Sequence, residues 1–129
     1  MSGTPMSGTP KNDPIVQYVV VRRDLITDLK WPMGAVITQA CHASLAAVAE
    51  TLTDPAVQQY LSDLDRMHKV VVEIGNENDL RQLSNALCEK AIPHKLWIEQ
   101  PENIATCLAS KPALKTEISD HFKRLKLFK

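Results

Sequence analysis

A chain of 129 residues, 44% apolar and 23% charged, is long enough to bury a core as one domain, and no run in it nears the ~18 apolar residues of a membrane helix. Its 15 Lys and Arg balance 15 Asp and Glu, so overall charge draws it neither to nucleic acid nor to an acidic membrane, and a nucleic-acid site has to be a local patch. Cys41, Cys88 and Cys107 form no close-spaced pair and no charged-then-apolar leader opens the chain, which points to a reducing cytosol.

The first ten residues read MSGTP twice and KNDP follows. With no apolar periodicity to bury, residues 1–14 are predicted as a disordered arm ahead of a single domain, 15–129. VQYVVVRRD, residues 16–24, is β-branched and aromatic until it ends in charge, as a fully buried strand would be. After the Trp31-Pro32 breaker and Gly34, an alanine-rich stretch to about Thr51 favours helix. Thr53-Asp54-Pro55 offers a cap with proline at the first helical position, and Val57, Tyr60, Leu61 and Leu64 follow at helical spacing.

KVVVEI, residues 69–74, reads as the second strand. The next helix has a capping asparagine and carries Leu80, Leu83 and Leu87 on one face, ending before Pro93. HKLWIE and NIATCLA, separated by Gln100, Pro101 and Glu102, read as two strands on a short turn. Pro112 then restarts a helix bearing Leu114, Ile118, Phe122 and Leu125. The order is β-α-α-β-α-β-β-α, an α/β fold: a mixed, roughly four-stranded sheet with helices on both faces, parallel across the strand-helix-strand crossovers and antiparallel across the last turn.

LKWPMGAVITQACHAS, residues 29–44, concentrates the candidate chemistry. Helical spacing puts Ala35, Gln39 and His42 on one face. Cys41 and His42 are adjacent and diverge, so they do not share a metal, and no other cysteine or histidine has zinc-ligand spacing. Ser44 is two residues from His42 and cannot pair with it on a helix; Cys41 reads as a small core residue. An amide and an imidazole on one apolar face need a local network or a ligand, since an unpartnered buried polar group costs ~1–3 kcal/mol. The helix start near Gly34 adds free N–H groups able to receive a phosphate or carboxylate. Arg22 and Arg23 stand at a strand end, where a sheet of this kind meets ligands. Lys123, Arg124, Lys126 and Lys129 read as a solvated basic helix end.

RRDL (residues 22–25), LKWPMGAVITQACHAS, KVVVEI and HFKRLKLF together resemble the type II peptidyl-tRNA hydrolase family over nearly all of residues 17–129, and EQPENIATCLA, residues 99–109, is similar to its divergent eukaryotic branch, the peptidyl-tRNA hydrolase domain-containing proteins. The resemblance implies a homodimer, no cofactor and no metal, and hydrolysis of the ester between a peptide and tRNA. It places Arg23 or its neighbour and Asp24 at the family's strand-end pair, with Lys30, Gly34, Gln39, His42 and Ala43 on its signature helix entry. Two family lysines flank the glycine where this chain has Met33 and Ala35, and the second is the one regarded as catalytic. Glu99 followed by QPEN stands where the family has an aspartate and a glycine- and threonine-containing loop.

The resemblance therefore implies a weak or degenerate hydrolase, with Glu99, His42, Gln39 and Lys30 as catalytic candidates and Arg23, Asp24, Gly34 and Asn103 as substrate contacts. Losing a fixed positive charge from such a site removes orders of magnitude in rate. A non-catalytic module binding tRNA or a protein partner on the same fold is the alternative, and an interaction scaffold is a third reading.

Overall fold

The structure, a computed structural model, describes residues 13–129. Its elements are β1 (Ile15–Arg22), α1 (Asp24–Thr27), α2 (Met33–Ala49), α3 (Pro55–Leu61), β2 (Lys69–Ile74), α4 (Glu77–Glu89), β3 (His94–Glu99), β4 (Ile104–Ser110), β5 (Ala113–Leu114) and α5 (Lys115–Ile118), with 3₁₀ turns at Leu64–Arg66 and Ser119–His121. The main sheet runs β2-β1-β4-β3. β1 and β2 are parallel across their α-helical crossover, and β4 is antiparallel to both β1 and β3. The mixed α/β sheet expected from the element order is the observed one, with a two-residue fifth strand added beside the start of β1.

β1 is almost wholly buried because both sheet faces are covered. Its period-2 alternation sends Val19 and Val21 to a cluster with Val36, Ala43 and Ala47 of α2, and Val16, Tyr18 and Val20 to one with Leu80 and Leu87 of α4. Tyr18 stacks on Phe122 at 4.6 Å between ring centroids, closing the α4 side. Two helices start at a capping side chain: the Asp54 carboxylate accepts from Ala56 N at α3, and the Asn76 side chain accepts from Asp79 N at α4.

Three local expectations differ from the structure. β1 ends at Arg22, and Arg23-Asp24 turn into the short helix α1, because the Arg22 guanidinium folds back onto the Asp24 carboxylate. The helix expected from Pro112 shrinks to β5, a single turn and a 3₁₀ turn. The tail beyond it lies along β2 instead, with Glu73 N donating to Lys126 O and Phe128 N to Val71 O. β2 is the outer strand on that side, and these bonds satisfy backbone groups that a continued helix would leave open. Cys41, read as core, is exposed, whereas Cys107 is buried and its thiol is pushed up to about 12 by burial.

The expected arm falls on residues 1–12, outside the described residues, and on Asp13 and Pro14. Asp13 is buried, and its carboxylate accepts from Thr116 N at 3.0 Å and Thr116 Oγ1 at 2.7 Å. Pro14 O accepts from Lys115 N. These two residues are therefore tied to the start of α5.

Candidate active site

The site is set by a slip in strand register. β3 and β4 pair from His94↔Ser110 to Trp97↔Cys107, after which the register shifts so that Ile98 meets Ala105 and Thr106 is left over. A bulge of this kind re-aims a side chain. Ala105 and Leu108 belong to the α4-side core and Cys107 to the α2-side core, yet Thr106 Oγ1 donates to Gln39 Oε1 of α2 at 2.8 Å. Gln39 is only 2% exposed, and among the described residues its amide nitrogen has no acceptor. The buried side chain thus has its oxygen fixed and its N–H donors unspent, an arrangement that costs ~1–3 kcal/mol unless a ligand supplies the acceptor.

One turn further along α2 the His42 ring is exposed and stacks on Trp97, at 4.6 Å between centroids and 18° between planes. Trp97 Nε1 in turn donates to Glu99 Oε1 at 3.0 Å. Residues 97 and 99 share a strand face, so the indole both carries the imidazole and aims the carboxylate. Glu99 Oε2 has no hydrogen-bond partner among the described residues. His42 and Glu99, far apart in sequence, share Trp97 as a partner, and Gln39, one turn before His42 on α2, is tied to β4 through Thr106. Ala35 is partly buried on the same helix, one turn before Gln39.

Neither Trp97 nor Thr106 is among the residues expected at the site. An indole two positions before Glu99 was a usable signal for Trp97. Thr106 carried none, because only the bulge turns it toward α2.

The remaining candidates divide. Lys30 is exposed in the left-handed region, φ 59°, just ahead of α2 and without an ion-pair partner among the described residues. Gly34 is exposed in the first turn of α2, whose N-terminus has no side-chain cap, and a Cβ there would meet nothing within 4 Å. Asn103, φ 59°, closes the turn after β3: its N–H donates to Glu99 O at 2.7 Å, and its side chain accepts from Gln100 at 3.3 Å.

At the strand end it is Arg23's neighbour, Arg22, that holds Asp24, with Nε and Nη2 donating to its two oxygens at 2.8 and 2.9 Å. Arg22 Nη1 donates to Ala105 O at 2.8 Å and lies 3.7 Å from Glu77 Oε1. Arg22 is 5% exposed and is consumed in bracing the end of β1 against β4 and α4, so it is not open to a ligand. Arg23 turns to the tail, donating to Lys129 O at 2.7 Å with its guanidinium 4.8 Å from the Phe128 ring centroid. It lines an open depression with Glu73, Lys126, Leu127 and Lys129. Lys126 and Lys129, read as a solvated helix end, thus join Arg23 at the surface.

Glu77 completes the brace. Its carboxylate accepts from Ala105 N at 2.9 Å and from Arg81, and the Ala105 N–H first, then Arg81 and Arg22, hold its pKa below the ordinary glutamate value of 4.5. A depressed folded-state pKa contributes stability that is present above the unfolded value and lost as pH falls through the folded one. Glu77→Gln is therefore expected to flatten the acid limb of a stability-versus-pH curve below about pH 4.5. Urea midpoints across that range check it, and an unchanged acid limb would show that Glu77 does not govern it.

Among the described residues no three His, Cys, Asp or Glu side chains converge on a metal position. What the arrangement offers is acid–base and hydrogen-bonding chemistry: a carboxylate oriented by an indole, an exposed imidazole stacked on that indole, and an unspent amide donor one turn earlier on α2.

Comparison with known proteins places the chain in a family. The family model described as peptidyl-tRNA hydrolase PTH2 matches residues 15–128. The Mus musculus and Homo sapiens proteins named "Putative peptidyl-tRNA hydrolase PTRHD1" are each 47% identical over 116 residues, covering 89% of this chain and 83% of theirs. A Methanothermobacter thermautotrophicus protein named "Peptidyl-tRNA hydrolase" is 29% identical over 101 residues, covering 74% of this chain and 84% of its own. The chain belongs to the type II peptidyl-tRNA hydrolase family, in its divergent eukaryotic branch.

Proposed function

We propose that the protein hydrolyses the ester joining a peptide to tRNA, at a rate held down by Ala35. The observation that carries this reading is the Trp97 indole, which stacks on His42 and fixes one oxygen of Glu99 while leaving the other oxygen open. In the proposed reaction Glu99 Oε2 takes a proton from the attacking water as its oxygen bonds to the ester carbon, and the unspent Gln39 amide donates to the carbonyl oxygen as charge develops on it; the bond to the ribose oxygen then breaks, and that oxygen takes the proton back from Glu99. His42 lines the same surface and orients the ribose end of the ester. Lys30 and the free first-turn amides at Gly34 face the terminal phosphates. Arg23 with Lys126 and Lys129 meets phosphates further along the tRNA, Asp24 keeps the β1 end in shape through Arg22, and Asn103 borders the Glu99 side. The homodimer and cytosolic setting implied by resemblance and cysteine usage are part of this proposal.

The test is release of peptide from a blocked aminoacyl-tRNA by the purified protein. Restoring the missing cation should raise the rate: Ala35→Lys is expected to speed turnover by ~10²- to 10³-fold, the effect typical of one fixed electrostatic partner for an oxyanion. A lysine there that leaves kcat unchanged removes Ala35 as the cause of slow turnover. Retained tRNA binding with a steep salt dependence and no release, where an authentic family hydrolase works, establishes the non-catalytic binding module instead.

A further inference from the structure

Along one flank of α2, exposed apolar side chains form a stripe. Met33, Ile37, Cys41 and Leu45 follow one another every fourth residue, and Met33, Ile37 and Leu45 are 53%, 56% and 72% exposed. All 17 residues of α2 lack an acidic or basic group of the Asp, Glu, Lys or Arg type. An exposed helix normally carries charge on its outer face, and a contiguous apolar patch marks a binding surface. At the Leu45 end the stripe deepens into a groove of about 310 Å³, walled by Leu45, Val48, Leu61 and Met67, with Tyr60 and Lys69 also lining it. That volume lies at the lower end for small-molecule sites, ~300–1,000 Å³.

The polar group in the groove defines what it would take. Lys69 Nζ is turned inward, donating to Gln17 Oε1 at 2.6 Å and Tyr60 Oη at 3.2 Å and lying 5.2 Å from the Tyr60 ring centroid. Both acceptors are neutral and already committed elsewhere: Gln17 Nε2 donates to Ser44 O and Ser110 O, and Tyr60 Oη donates to His68 O. Among the described residues no carboxylate lies within ion-pairing distance of Lys69. Lys69 keeps part of its surface in solvent, so the ammonium is within reach of a ligand; partial burial lowers its pKa, no opposing charge stands beside it, and the third N–H has no partner among the described residues.

We infer that the groove between α2, α3 and β2 binds a small amphipathic carboxylate, its head group on Lys69 Nζ and its apolar chain along Leu45, Val48, Leu61 and Met67. The occupant is a single-chain organic acid because the groove holds one cation at its end and apolar walls beyond it. The site is separate from the proposed hydrolase site and stands whether or not that activity is found.

The probe is decanoate, titrated into the full-length protein by calorimetry and followed through the methyl resonances of Leu45, Val48 and Met67. Saturable one-to-one binding is expected, weakened about tenfold or more, ~1.4 kcal/mol per decade, in Lys69→Met, with decanol binding the wild type no better than decanoate binds the variant. Lys69→Met also removes a donor from Gln17 and Tyr60. Leu45→Glu, at a side chain that is mostly in solvent, therefore serves as the second variant; its carboxylate at the groove repels the ligand and should abolish binding in a protein with unchanged thermal stability. Three results would each overturn the inference: no saturable binding below the micelle concentration, equal affinity of wild type and Lys69→Met, or equal affinity of decanol and decanoate. So would a solution dimer that Leu45→Glu dissociates and decanoate leaves intact, since a second copy would then cover the face.

Discussion

Glu99→Gln is expected to reduce peptide release by ~10²- to 10⁴-fold, the range over which a positioned general base contributes, with thermal stability essentially unchanged. The substitution is nearly isosteric. The amide oxygen that replaces Oε1 still accepts from Trp97 Nε1, the one side-chain bond Glu99 makes in this structure. What disappears is the basic oxygen opposite that bond, so the loss should fall on kcat rather than on tRNA affinity. Single-turnover assays on a blocked aminoacyl-tRNA read the rate, and filter binding reads the affinity. Wild-type turnover in Glu99→Gln would end the assignment of Glu99 as base, whatever the enzyme's absolute rate. Trp97→Phe makes a useful partner variant, because it keeps a ring beneath His42 while releasing the Glu99 carboxylate.

The largest effect on stability is expected at Arg22. In Arg22→Met the buried stem is retained and the guanidinium is lost, leaving Asp24 without both of its 2.8–2.9 Å donors, Ala105 O without its 2.8 Å donor, and Glu77 short of a cation. Removing one partner from a buried charge cluster costs ~3–5 kcal/mol, mostly because the remaining charge stays buried and uncompensated. Urea denaturation should show that loss with an unchanged slope, and Asp24→Asn should cost less because the amide oxygen still accepts from Arg22. A cost for Arg22→Met below ~1 kcal/mol, the level of an exposed ion pair, would contradict the bracing role. The neighbouring Arg23→Met should be nearly neutral for stability, its partners lying at the surface. Two adjacent arginines of identical chemistry are therefore predicted to differ sharply, since Arg22 ends β1 with its side chain buried whereas Arg23 lies in the turn beyond it and reaches the surface.

That contrast shows where sequence reading succeeds. Local signals carry their own physics, and they were sufficient for β2 and β3, whose expected spans coincide with Lys69–Ile74 and His94–Glu99, and for α3 and α4, opened by Asp54 and Asn76. Gln39, His42 and Glu99 were recognisable as candidates from helical spacing and from family resemblance. Which arginine would be buried was not legible, because both follow a β-branched run and the choice depends on what packs over each face.

The C-terminal segment failed for a related reason. Ile118 and Phe122 are buried as their spacing suggested, but spacing of this kind does not register the outer edge of β2 waiting to be paired. Local pattern in this protein accounts for which segments become strands and helices and which polar residues have chemistry to offer. The folded chain alone settles how those residues meet. The extra residue in β4 turns Thr106 onto Gln39, and the pleat of β3 sets Trp97 between His42 and Glu99. Both contacts join atoms far apart along the chain, and their geometry follows from strand register, to which no short stretch of sequence is sensitive.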